Sequence, residues 1–394
     1  LLVAIQIALS LAILVNAIYI VQLRLDLAAR PSGIANEEQV FRLDVSNHRW
    51  GGPEDQFAVQ KQEEATLRAV PGVVSVARTN SSPMSRSGSN TGLAVDRKQA
   101  TATVISSFYL SPGSLIQTWG LKLVQGRDFL PEEIQELDQE KDKDFPDPVI
   151  ITQALARKLY PGESQFLGKV FYFGTGSDAS AAHIVGVVER LQTAFPRPGD
   201  TGEFSTLIPV RLANDPYSGY TIRAAPGQRD RVMNAASEAL RKASSAPLNI
   251  QMRTVEQHRQ DCYRSEKGLA WMLIAVCSLL IIVTASGIVG MSTLWVAQRR
   301  KQIGVRRALG ARKVDVLRYF FTENLLITTG GIVVGLALSL ALNQLLVSQF
   351  ELSKLPLHYL LIAPLVFWTL GLLAVYAPAW RAASTPPATA TRGI

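Results

Sequence analysis

The sequence predicts a membrane protein, α-helical with four transmembrane helices, plus a large mixed α/β extracytoplasmic domain between helices 1 and 2. Three observations predict it. The 394 residues are 47% hydrophobic and 18% charged, too apolar for a typical soluble protein and too polar for one embedded throughout. Four uncharged stretches, 1–23, 268–298, 324–350 and 355–380, hold 23, 31, 27 and 26 residues. Each exceeds the roughly 20 residues that cross a ~30 Å hydrocarbon core. The third observation is charge: residues 24–267 hold 29 basic and 29 acidic side chains, so the whole net charge of +8 comes from the membrane half.

The elements follow in chain order. Residues 1–23 form transmembrane helix 1, not a signal peptide, for they lack a basic leader and a small-residue cleavage site. The sequence begins at Leu inside this helix, which predicts a missing N-terminal piece. Residues 24–267 form the periplasmic domain. "VFRLDVS" alternates Phe41, Leu43 and Val45 on one face, as a half-buried strand does. A helical 54–69 ends at "VPGV", and strand-like "VVSVAR" follows. The polar "TNSSPMSRSGSNTG" reads as a loop, and "ATATVISSFYL" as a strand. From Ser111 the pattern changes, with an acidic stretch at 132–147 and short apolar runs "KVFYFG", "HIVGVV" and "STLIPV". "YTIRA", a helical 227–243, "NIQMR" and a helical 255–267 close the domain. The strand–helix–strand pattern at both ends predicts one α/β subdomain at about 35–110 plus 215–265, with an inserted subdomain at 111–214.

Residues 268–298 are transmembrane helix 2. At 1.5 Å per residue they span ~46 Å, about 15 Å beyond a bilayer core, so the helix either continues as a stalk or tilts. Helices 3 and 4 occupy 324–350 and 355–380, and 381–394 form a cytoplasmic tail. Between helices 2 and 3, residues 299–323 open with "RRKQIGVRRALGARKVDVLRYF", eight Lys or Arg against the single acid Asp315. A short basic loop between apolar helices belongs on the cytoplasmic side. Gly310 is a helix-ending signal; Val314, Leu317, Phe320 and Phe321 then recur at helical spacing, so a second helix begins there. Contact with anionic membrane lipid, worth about 1 kcal/mol per basic residue, accounts for the charge. It does not account for Ile303, Gly304, Ala308, Leu309 and Gly310, a compact knob suited to a partner's groove. In the membrane, Ser286-x-x-x-Gly290 and Gly331-x-x-x-Gly335 allow close helix packing, within one protomer or between two.

Several chemistries are excluded. "PGESQFLGKV" resembles a phosphate-binding loop, but five residues separate Gly162 from Gly168 and Val170 stands where a hydroxyl would hold magnesium. No G-x-S-x-G, H-E-x-x-H or C-x-x-C occurs. Cys262 and Cys277, 15 residues apart on one predicted helix, cannot pair. His48, His183, His258 and His358 form no ligand cluster, and the spans carry no ionisable residue of the kind that marks a proton-coupled pump. No catalytic, cofactor-binding or metal-binding residue is expected, and no nucleic-acid partner. The polar loop 80–93 and the acidic 132–147 are the candidate external binding surfaces.

"RRKQIGVRRALGARKVDVLRYFFTEN" resembles the FtsX-type permease signature of the MacB and LolC/LolE group of ABC systems. "YLSPGSLIQTWGLKLVQGRDFLPEE", "ALARKLYPGESQFLGKVF" and "HIVGVVERLQ" are similar to the periplasmic domain of MacB-like permeases, and "YAPAWRAASTPP" to their closing segment. The resemblance implies a dimer, homomeric or formed with a related permease, in a bacterial inner membrane. It implies ABC ATPase (nucleotide-binding) subunits that bind the ATP and Mg, a periplasmic adaptor and an outer-membrane channel. It implies mechanotransmission, in which ATP-driven closure pushes a coupling helix and moves the external domain. That coupling role maps onto Arg299, Arg300, Gln302, Ile303, Gly304, Arg306, Arg307, Leu309, Gly310 and Ala311. Efflux, lipoprotein extraction and control of a periplasmic hydrolase are all functions of such proteins. Two departures stand out: Gln298 and Gln302 occupy places where the family often has glutamate, and "PPATATRGI" departs from the usual ending.

Overall fold

The structure is a computed structural model. It describes residues 2–46, 52–138, 140–142, 146–177, 179–195, 197, 199–215, 219–244, 247–299, 302–303, 305–306, 309–350 and 355–384. The chain divides into two compact units, Leu1–Asp26 with Glu266–Ile394, and Leu27–Ser265.

Four long helices build the first unit: α1 (Leu2–Ala29), α6 (Val255–Gln298), α7 (Lys313–Phe350) and α8 (Leu357–Ser384). All four are long and apolar enough to cross a membrane. Helix α1 is the most buried. Its Val3, Ile7, Leu11, Leu14 and Val15 recur at three- and four-residue spacing and pack with Ile288, Phe320, Ile332, Phe367 and Val375. Its opposite side, with Leu2, Ile5, Leu9, Ile13 and Ile18, is exposed. The spans are free of interior charge but not of polarity. Ser10 Oγ lies 2.8 Å from Thr284 Oγ1, Gln6 Nε2 donates to Val283 O at 3.1 Å, and Asn16 Nδ2 donates to Ser339 O and Oγ, each at 3.1 Å. Such bonds tie helices together where no water competes. Helix α7 starts at Lys313, inside the basic segment, eleven residues ahead of the apolar stretch from 324. Pro364 and Pro378 both lie inside α8.

Among the described residues the second unit holds three sheets, two large ones and a two-stranded one. The first has strand order β13-β1-β12-β2, with β1 (Val40–Ser46), β2 (Val73–Thr79), β12 (Gly219–Ala224) and β13 (Asn249–Thr254). All its pairings are antiparallel. Helix α2 (Pro53–Arg68) connects β1 to β2, and α5 (Arg229–Ala243) connects β12 to β13. This is the split β-α-β arrangement of ferredoxin-like domains, interrupted between β2 and β12. Phe41, Leu43, Tyr220 and Ile222 alternate onto one face and meet Leu67 of α2 and Val232, Ala236 and Leu240 of α5. Arg42 and Asp44 therefore point to the other face.

The interruption carries a second sheet, ordered β5-β9-β7-β10-β4-β3-β8. Its strands are β3 (Ser89–Ala94), β4 (Val104–Leu110), β5 (Leu123–Gly126), β7 (Pro148–Thr152), β8 (Val170–Phe173), β9 (Ser180–Val188) and β10 (Ser205–Ile208). Strand β8 also bonds to β9, which closes the ladder on itself. The sequence boundary at 111 requires correction. Strands β3 and β4 belong to this second sheet, because Ser205–Ile208 pair in parallel with Ser107–Leu110, so the crossover falls in the loop after Thr79. Adjacency in sequence placed β4 with β2; a pairing about a hundred residues away decides otherwise. The acidic segment is likewise tied into structure. Glu133 pairs with Arg127, and Glu136 with Lys61 and Arg211; Asp138 lies on β6 (Gln135–Asp138), beside β11 (Val210–Ala213).

Candidate functional site

The basic segment between α6 and α7 is the candidate site. Arg299 N–H donates to Trp295 O and Ile303 N–H to Arg299 O, each at 3.0 Å, so helical bonding continues past Gln298. Leu309 N–H then donates to Val305 O, and Ala311 N–H to Arg306 O, both at 3.0 Å. The second of these, closing over Gly310 at φ +96°, is the six-to-one bond that ends a helix through a left-handed residue. Glycine adopts that φ without steric cost. Helix α7 begins two residues on. Asp315 Oδ2 accepts Arg312 N–H at 2.9 Å and caps its first turn, a position where a carboxylate also suits the helix dipole. The lone acid of the loop is thus a capping group.

Two cations converge on one ring. The Arg299 and Arg306 guanidinium carbons lie 5.6 and 5.3 Å from the Tyr319 centroid. Arg299 also donates to Tyr319 Oη and, at 3.0 Å, to Glu323 Oε2. Tyr319 and Glu323 are four residues apart, on one face of α7. A half-exposed ion pair contributes at most about 1 kcal/mol, and each cation–π contact about 0.5–1 kcal/mol; together they pin the incoming segment to α7. The crevice bounded by Arg299, Gln302, Ile303, Arg306, Val316, Tyr319 and Phe320 encloses about 30 Å³, room for a water and no ligand. Leu309, 83% exposed at the tip, is the most exposed large apolar side chain among the described residues. Lys313 Nζ sits 6.0 Å from the Trp380 ring, which stacks on Tyr376.

The structure places Arg299, Gln302, Ile303, Arg306, Leu309, Gly310 and Ala311 in this one hairpin-like segment; Arg300, Gly304 and Arg307 lie outside the described residues. Gln302 is exposed on the same crevice. Tyr319, Glu323 and Asp315 were missed by sequence reasoning, and the i, i+4 spacing of Tyr319 and Glu323 was the available signal. The small-residue pairs divide. A Cβ on Gly331 would meet Ala4 O at 2.9 Å, and one on Gly335 would meet Ala8 O at 3.0 Å, so both pack α7 against α1. Ser286 and Gly290 are exposed, and nothing lies within 4 Å of a Cβ on Gly290. It is Gly287 that lets α6 approach Gln6.

Four helices long and apolar enough to cross a membrane, with an α/β domain within the chain and a capped basic turn, define the class: a multi-pass membrane protein. Residues 274–387, which contain this turn, match the FtsX-like permease C-terminal family. Over this segment the chain is similar to FtsX-like permeases, and the curated relatives it matches are MacB proteins. It is 24% identical over 275 residues to the macrolide export ATP-binding/permease protein MacB of Chromobacterium violaceum, covering 68% of this chain and 40% of that protein. It is 29% identical over 252 residues to the MacB of Rhodospirillum rubrum, 61% of this chain and 37% of that protein. For the MacB of Escherichia coli K12 the figures are 25% over 292 residues, 70% and 41%. The chain spans about two fifths of the length of the curated relatives it matches. The extracellular domain of the noncanonic ABC-type transporter YknZ from Gram-positive bacteria is 14% identical, with all of that chain and 55% of this one covered at a TM-score of 0.34.

Proposed function

We propose that this protein is the permease of a MacB-like ABC complex in a bacterial inner membrane, passing work from cytoplasmic ATP hydrolysis to its periplasmic domain. ATPase subunits or domains bind the ATP and Mg, and close against the basic turn. The observation that carries this reading is the turn itself. Leu309 projects from a Gly310-capped end, and Arg299 and Arg306 are clamped to Tyr319, so a push on the tip is not lost in local bending. Helix α6 is one unbroken element of 44 residues without proline, suited to pass displacement along its length.

Two copies, or this chain and a related permease, form the working dimer, with anionic lipid around the remaining basic side chains. Export through a periplasmic adaptor and outer-membrane channel is the leading function, supported by the MacB relatives. Extraction of lipoproteins or lipids from the outer leaflet is the second reading, compatible with spans that are free of interior charge. A mild-detergent pull-down of the full-length protein from its native membrane tests the first step. Wild type is expected to recover an ABC ATPase, and Leu309→Asp to lose most of it while its own yield is unchanged. Recovery of the ATPase by both proteins in equal amount would overturn the docking role.

A further inference from the structure

A second feature lies wholly in the α/β unit and has no part in the coupling turn. A cleft of about 320 Å³ opens on the face of the four-stranded sheet opposite α2 and α5, at the lower end of the roughly 300–1,000 Å³ range of small-molecule pockets. Period-2 alternation builds its floor. Phe41, Leu43, Ile250 and Met252 turn toward the helices, so Arg42, Asp44, Gln251 and Arg253 turn into the cleft. The register sets Arg42 directly across from Arg253, and Asp44 across from Gln251.

Like charges directly opposite on a sheet are unfavourable unless something neutralises them. The protein does so only in part. Arg42 Nε donates to Asp44 Oδ1 at 2.6 Å, while Arg253 Nη1 reaches Asp261 Oδ2 at 3.3 Å in an exposed pair. One wall is the loop after β2, where Ser85 and Ser87 line the cleft. That loop is fixed in place: Met84 N–H donates to Thr193 O at 3.1 Å and Arg86 N–H to Ala194 O at 2.9 Å. The other wall is His258, in the charged segment of α6 that precedes its apolar stretch. His258 is 7% exposed, and its Nε2 has no partner among the described residues. A buried polar atom left so costs about 1–3 kcal/mol, a cost a ligand can remove.

We propose that this cleft binds a small anion, a carboxylate or phosphate group, whose oxygens lie between Arg42 and Arg253 and accept a hydrogen bond from His258 Nε2–H. The lining is rich in donors: two guanidiniums, the amides Asn80 and Gln251, and serine hydroxyls stand beside one carboxylate, Asp44, which Arg42 already holds. Burial first, and then Arg42 and Arg253 against the opposing Asp44 and Asp261, push the His258 pKa down to about 4, so its ring is neutral at neutral pH and offers one N–H to a ligand.

Isothermal titration of the full-length protein in detergent at neutral pH tests this, with succinate and inorganic phosphate as probes and erythritol as a neutral control. At least one anion is expected to bind saturably at one site per chain, and erythritol not to bind. Arg253→Gln and His258→Gln should each weaken the anion by roughly tenfold or more, as loss of a charge-assisted or buried hydrogen bond does, with Arg253→Lys retaining most of the affinity. The tighter of the two probes identifies a carboxylate or a phosphate ligand. Failure of both anions to bind, equal binding of erythritol, or unchanged affinity in both variants would each overturn the proposal.

Discussion

Two residues show how one position's environment decides its role. His258 is held neutral, its pKa lowered to about 4 first by burial and then by Arg42 and Arg253. Its unfolded counterpart titrates near the ordinary histidine value of about 6.5. Between these values the unfolded chain binds the proton and the folded chain does not, so stability is complete above about pH 6.5 and falls as pH drops toward 4. The loss is at most about 3 kcal/mol at one histidine. Thermal unfolding of the α/β unit in the full-length protein should therefore drop less between pH 7 and pH 5 in His258→Gln than in wild type. Gly310 is the second. Its φ of +96° is met with open space around it, so Gly310→Val fails through backbone strain, not a clash, and costs about 1–2 kcal/mol of turn stability. Its expected consequence is partial loss of ATPase recovery, smaller than that of Leu309→Asp.

At the scale of elements, packing separates the glycines that sequence spacing treats alike. Gly331→Leu and Gly335→Leu should lower the melting temperature and yield sharply, since each side chain would meet α1 backbone at about 3 Å in a close-packed interior. Gly290→Leu should fold as wild type; a change confined to its oligomeric state would mark that face of α6 as a protomer contact. In the α/β unit, Arg211 bonds Glu64 through two nitrogens at 2.9 and 3.2 Å, with both side chains buried. Glu64→Ala should cost about 1–3 kcal/mol, because it leaves the buried guanidinium with only the looser Glu136 contact at 3.5 Å, and urea unfolding would read it. The elements themselves were legible where period and charge agree: the four spans, the strand at Phe41–Val45 and the helix stop at Gly310 all follow from local pattern. The second sheet was not, because the parallel pairing of β10 with β4 joins segments about a hundred residues apart. No local period encodes such a pairing. The polar stretch 80–93, expected to be a loop and a binding surface, is a loop only in part: Asn80–Met84 are buried and Ser89–Ala94 form β3, and its partners Arg253 and His258 come from another strand and another helix. Only the register brings them together.

For the whole molecule, the account assigns the two compact units different tasks: one receives force at a basic turn, the other offers a polar cleft to a ligand. Nothing in this division requires a substrate to cross the membrane-spanning helices, where Ser10 bonds Thr284 and the Asn16 amide N–H bonds Ser339. The absence of glutamates at Gln298 and Gln302 leaves Arg299 free to pair within the chain, with Glu323 at 3.0 Å. In the proposed complex the ATPase would be recognised through the apolar tip at Leu309 more than through charge, so salt should weaken that complex only modestly. The most direct test places a cysteine at Leu309 in the full-length protein and reads disulfide or bifunctional cross-linking to the ATPase in native membranes, with and without a non-hydrolysable ATP analogue. The account predicts an efficient, nucleotide-sensitive cross-link at this position and none from a cysteine at exposed Trp271 on the same chain. A Leu309 cysteine that never cross-links to an ATPase, in either nucleotide state, would contradict it.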